Sequence, residues 1–67
     1  MRTILRVYIG PTCIKEPGEI VNQILNLTQP LDIDWAEKSG RVKMGTTQDL
    51  SGELVKIGEQ DFTVPIH

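Results

Sequence analysis

A chain of 67 residues with one cysteine and one histidine has room for one domain, cannot close an internal disulfide, and falls short of the four soft ligands of a structural zinc site. Its 39 % hydrophobic and 24 % charged residues place it among globular chains and exclude disorder. Nine acids against seven bases, a net charge of −2, argue against nucleic acid as the partner, because phosphate contacts need a basic excess.

Residues 2–9 alternate in character. Thr3, Leu5, Val7 and Ile9 fall on one face, with Arg2, Ile4, Arg6 and Tyr8 on the other. This is the pattern of a half-buried strand, and Gly10-Pro11 is expected to end it.

Residues 17–29 read as a helix. Pro17 suits the first helical position, Glu16 the cap, and Glu19 the first turn, where an acid meets the helix dipole favourably. Ile20, Val21, Ile24, Leu25 and Thr28 form an apolar stripe at helical spacing, while Asn22, Gln23 and Asn26 face out. Pro30 is expected to stop the helix.

Residues 31–36 and 41–46 read as a hairpin around Glu37-Lys38-Ser39-Gly40. Setting Ala36 against Arg41 puts Trp35 opposite Val42, Ile33 opposite Met44 and Asp34 opposite Lys43. Apolar side chains then meet apolar ones and acid meets base. Residues 47–52 are turn-like. Residues 53–57 and 62–66 form a second hairpin around Gly58-Glu59-Gln60-Asp61, with Ile57 against Phe62 and Val55 against Val64. Pro65 confines the last strand to an edge.

The order β-α-β-β-β-β predicts one α+β domain over residues 1–67, a mostly antiparallel sheet with one helix packed on one face. A 13-residue helix is only ~20 Å long and cannot cover five strands. The uncovered sheet must curl or be covered by another chain.

Cys13, between the first strand and the helix, is the weak catalytic candidate. A helix N-terminus and Lys15 could stabilise its thiolate. The arrangement strand–Cys13–helix resembles the active-site placement of the thioredoxin and glutaredoxin proteins, and Thr63-Val64-Pro65 is similar to the turn those families set beside their cysteine. That resemblance implies a small thiol-dependent redox protein. The chain departs from the pattern in three ways. It has no second cysteine, its residues after Pro65 leave no room for the family's last hairpin and helix, and Pro17 starts the helix several residues beyond Cys13. The simpler reading is a small side chain packed in a loop.

Asp32 and Asp34 alternate on one strand face, too few oxygens for a hard cation, and read as a solvated face with Asp34 paired to Lys43. Arg2, Arg6 and Tyr8 on the outer face of the first strand could contact RNA, or could simply guard the sheet. Trp35 reads first as core, yet tryptophan also anchors interfaces. His67 carries no role, and no glycine spacing matches a phosphate-binding loop.

No nucleophile, base and orienting group converge, so nothing in the pattern points to an enzyme, a cofactor or a metal site. The expected function is a small non-enzymatic interaction module: an accessory subunit, inhibitor or regulator of the kind phages and mobile elements carry. Its partner would be a protein or a second copy of itself. Docking is expected at Trp35, Val42 and Met44, with Arg6 and Tyr8 as the alternative surface. The rivals are the Cys13 thiol protein and, more weakly, an RNA-contacting domain. No apolar run suits a membrane span or signal peptide, and a lone thiol fits a reducing compartment, so a cytoplasmic setting is expected.

Overall fold

The computed structural model describes residues 1–26 and 30–66. Strand β1 (Arg2–Ile9) does not end in a loop at Gly10-Pro11, as the sequence suggests. Those two residues form a tight turn, and the chain returns as a short strand β2 (Thr12–Ile14) antiparallel to β1, with Ile9 opposite Thr12 and Tyr8 opposite Cys13. Gly10 supplies the positive φ (55°) that a two-residue hairpin turn requires at its first position.

Helix α1 (Pro17–Leu25) follows. Glu16 precedes it in an extended conformation, and its carbonyl accepts the first helical hydrogen bond, from Ile20 N–H at 2.9 Å. The helix face is narrower than the predicted stripe. Ile20 and Ile24 are buried and Val21 is half-buried, but Leu25 is 58 % exposed. The described helix stops at Leu25, with Asn26 as its cap. Thr28 and the expected end of the helix at residue 29 lie outside the described residues, as does His67.

Strands β3 (Asp32–Ala36) and β4 (Val42–Thr46) form a hairpin, and a 3₁₀ turn (Thr47–Leu50) leads to a second hairpin, β5 (Leu54–Ile57) and β6 (Gln60–Thr63). The sheet runs β4-β3-β1-β5-β6, with β2 beside β5 on the same edge of β1. Only β1 and β5 are parallel. The α+β class and the mostly antiparallel sheet with one α-helix on a face are as the sequence predicts. The order differs by the extra strand β2.

A β-bulge in β1 revises its two faces. Ile4 pairs with Trp35 and Arg6 with Asp34, so Leu5 is an extra residue on β1. The bulge reverses the side-chain alternation at that point. Ile4 and Val7, which simple alternation places on opposite faces, are both buried, while Leu5 and Ile9 are exposed. Without the bulge, one of the two buried side chains would face solvent.

The β3–β4 register is one residue from the predicted one. Ala36 pairs with Val42, Trp35 with Lys43, Asp34 with Met44 and Ile33 with Gly45. The cause is the volume of the indole. The Trp35 ring lies over Gly45, where an added Cβ would sit 2.6 Å from the ring. Matching apolar to apolar residues along the strands ignores that need for an empty position. The predicted Asp34–Lys43 pair is replaced by two others: Arg6 with Asp34, and Lys43 with Glu37 at 3.3 Å.

The second hairpin is tighter than predicted. Val55 pairs with Phe62 and Ile57 with Gln60, around the two-residue turn Gly58-Glu59. This two-residue shift preserves which face each side chain occupies. Gly58 has φ +62°, and its missing side chain admits Pro17, since a Cβ there would lie 2.8 Å from the proline ring. The start of α1 therefore rests on the β5–β6 turn.

The core comprises Ile4, Val7, Ile20, Ile24, Ile33, Trp35, Leu50, Val55, Ile57 and Val64. The segment after β6 closes beside the 3₁₀ turn. Gly52 N–H donates to the Val64 carbonyl and Val64 N–H to the Glu53 carbonyl. Helix, 3₁₀ turn and this tail thus share one side of the sheet, and the other side is left open.

Candidate functional site

Residues directly opposite each other in neighbouring strands project to the same face. Beyond the bulge, pairing therefore assembles rows on the open face. Cys13, Tyr8, Asp32 and Thr46 form one row, and Arg6, Asp34 and Met44 form the next. Thr3, Ala36 and Val42 form a third.

Asp34 is the unusual member. It lies on a face that no element covers, yet it is only 7 % exposed. Its Oδ2 accepts a hydrogen bond from the Tyr8 hydroxyl at 2.9 Å and lies 3.3 Å from the Arg6 Nε. Its Oδ1 is buried and has no hydrogen-bond partner among the described residues. A buried oxygen left without a donor is a costly arrangement.

This carboxylate also sets the Tyr8 acidity. The hydrogen bond to Asp34 is the leading cause that raises the Tyr8 pKa above the ordinary phenol value, and Arg6 opposes it. Tyr8 is the sole tyrosine of the chain, so its ionisation can be followed by ultraviolet absorbance. Titration is expected to show a midpoint above that of a free tyrosine, and Asp34→Asn to bring it down. A midpoint that Asp34→Asn leaves in place would mean the hydroxyl does not meet this carboxylate in solution. The sign also bears on stability. A raised pKa favours the protonated phenol in the fold, so this contribution is full below the free-tyrosine pKa and is lost as pH rises through the folded-state value.

Beside Asp34 the open face forms a groove of about 490 Å³, lined by Tyr8, Gly10, Asp32, Asp34, Met44 and Thr46 together with Ile33 and Gly45. Met44 is 77 % exposed. Thr46 starts the 3₁₀ turn through a reciprocal cap in which its N–H donates to Asp49 Oδ2 at 2.8 Å. That cap holds the far end of β4 in place beside the groove.

The predicted docking trio does not share a face. Trp35 is in the core at 5 % exposure, whereas Val42 and Met44 are exposed on the opposite face, a direct result of the one-residue register change. Arg6 and Tyr8, the alternative surface, lie on the same face as Val42 and Met44. Arg2 stands apart from them, paired with Glu53 and, at 3.7 Å, with Glu37.

Asp32 and Asp34 do share a face, as the alternation predicts, but Asp34 is buried and held by Arg6 instead of being solvated. The sequence carries Tyr8, Arg6 and Asp34 in plain view. Only the pairing of β1 with β3 joins them, and no local pattern encodes that pairing.

Cys13 is exposed on the outer row of β2, next to Tyr8, and not in a strand-to-helix loop. Thr63-Val64-Pro65 is bonded to the segment around the 3₁₀ turn, with Ser51 Oγ donating to the Pro65 carbonyl at 3.2 Å. Among the described residues, no group of three or more His, Cys, Asp or Glu is placed to hold a metal ion. No helix among them is long and apolar enough to cross a membrane.

No protein-family model matches the chain, and no curated protein or solved structure matches it.

Proposed function

We propose that this chain is a small non-enzymatic interaction module that receives a protein partner on the open face of its sheet. The observation that carries this reading is the contrast between the two faces. One is closed by α1, the 3₁₀ turn and the tail, while the other presents Met44, Val42 and Leu54, all more than half exposed, around an open groove. Exposed apolar side chains gathered on one face mark interaction surfaces more often than chance. A regulator, inhibitor or accessory subunit needs such a face and no catalytic group.

The rivals draw less support. Arg6, the basic group an RNA reading would use, has its charge satisfied by Asp34 at 3.3 Å. A redox reading would rest on Cys13, which lies on an edge strand away from the start of α1 at Pro17. A cytoplasmic setting belongs to the same proposal, since an exposed unpaired thiol persists in a reducing compartment.

Light scattering over a range of micromolar concentrations tests it. The unaltered protein is expected to exceed the monomer mass, and Met44→Glu to return it to the monomer with an unchanged melting temperature, because the side chain is mostly in solvent. Monomer at every concentration for the unaltered protein overturns self-association. Association that Met44→Glu leaves intact overturns the choice of face.

A further inference from the structure

We infer that the groove beside β4 is a site for the guanidinium of an arginine side chain, presented by an extended segment of the partner protein. This inference rests on the open face being the docking surface, and it names what that surface recognises.

Three observations converge. The first is charge. Asp32 and Asp34 both line the groove, no Lys or Arg does, and Asp32 takes part in none of the ion pairs among the described residues. The second is the buried Asp34 carboxylate. Arg6 and Tyr8 both engage Oδ2, and Oδ1 has no donor although the side chain is nine-tenths buried and lines the groove. A ligand donor is what that oxygen lacks. The third is shape. Two residues apart on one strand face, the two carboxylates stand ~7 Å apart at their Cα atoms, with the Tyr8 ring and the Met44 thioether beside them. A guanidinium has five donors in a planar fork and stacks on aromatic faces, while its three-carbon stem lies along apolar surface. An ammonium has the charge without the fork.

The site fits a polypeptide better than a free small molecule because of where it lies. β4 is the end strand of the sheet and pairs only with β3 among the described residues. Its free edge can accept an extended segment as an added strand. A side chain on the outer face of such a strand, alongside Met44 or Thr46, projects toward the groove. The exposed side chains of Val42 and Met44 would then meet apolar residues two positions to either side of the arginine.

The probe is the blocked peptide acetyl-Val-Thr-Arg-Thr-Val-amide, compared with the same peptide carrying citrulline, which keeps the shape and hydrogen bonding of arginine but not its charge. Amide nitrogen–proton NMR titration at low salt reads both affinity and position. Shifts are expected on β4 and at Tyr8, Asp32 and Asp34, with the citrulline peptide at least tenfold weaker. Asp32→Asn is expected to remove most of that difference. Asp61→Asn, an exposed acid on β6 remote from β4 in strand order, is expected to leave it unchanged.

Equal binding of both peptides at these residues overturns the guanidinium assignment while leaving the open face as a docking surface. Shifts placed elsewhere, or none at millimolar peptide, overturn the groove as a site. Neither result depends on self-association, so the failure of this inference is distinguishable from a failure of the docking face under Met44→Glu.

Discussion

Gly45→Val is expected to unfold the protein near room temperature, and Gly45→Ala to lower its melting point by many degrees. The position has no special backbone conformation; its constraint is space. A Cβ at residue 45 would lie 2.5 Å from Asp49 Oδ2 and 2.6 Å from the Trp35 ring. Neither neighbour is free to give way. Trp35 is packed in the core, and Asp49 Oδ2 accepts the Thr46 N–H that caps the 3₁₀ turn. Overpacking a core by a methyl group or two typically costs ~1–3 kcal/mol. A domain of this size holds only about 3–10 kcal/mol in total, and valine adds two methyls beyond the clash that alanine already makes. Urea denaturation of Gly45→Ala, Trp35→Phe and the double variant separates this cause from a general intolerance of substitution. Trp35→Phe alone leaves a void, but combined with Gly45→Ala it removes ring atoms from the point of collision. It also deletes an indole N–H that is buried without a partner. The double variant is therefore expected to be more stable than the sum of the two single losses allows. Strict additivity would mean that the ring does not press on residue 45.

The same contact explains which parts of the molecule can be read from the chain and which cannot. Local rules suffice where each residue depends on its neighbours in sequence. Pro17 opening the helix, Ile20 and Ile24 at helical spacing, and two antiparallel hairpins after the helix are all of this kind. The rules fail where a distant side chain decides. Matching polarity points to one β3–β4 register, yet an indole needing room over Gly45 moves it by one residue and carries Val42 and Met44 to the open face. The bulge at Leu5 is a second case. Ile4 and Val7 cannot both be buried in a regular strand, and their joint burial is a demand of the core rather than of the local pattern. The strand β2 is hidden for a different reason, since three residues with no alternation to speak of give little signal. As for the site, its members are visible singly. Asp34 reads as solvated because its partners, Arg6 and Tyr8, lie on a strand 26 or more residues away in sequence, and only the sheet brings them to it.

Ile24→Asp is expected to abolish cooperative folding, whereas Asn22→Asp is expected to leave the melting temperature within a few degrees. Helix α1 has nine residues, too few for an isolated helix to persist in water. It therefore exists because Ile20 and Ile24 are docked on the sheet, each 1 % exposed. Every buried residue of the core around them is apolar, so an aspartate at position 24 would find no cation and no donor. Burying an unpaired carboxylate costs several kcal/mol, and the isoleucine burial lost adds ~2–5 kcal/mol. Together these equal or exceed the whole stability of the fold. Undocking the helix offers no escape, because it would open the inner side of the sheet at Ile4, Val55 and Ile57 to water. Asn22 is exposed on the helix, and a charge there stays in solvent. Circular dichroism melts of the two variants make the comparison at equal change in charge, so electrostatics alone cannot account for a difference. Two similar melting curves would mean that the helix meets the sheet through some other face than Ile20 and Ile24, and the open face opposite would then no longer be the free side of the molecule.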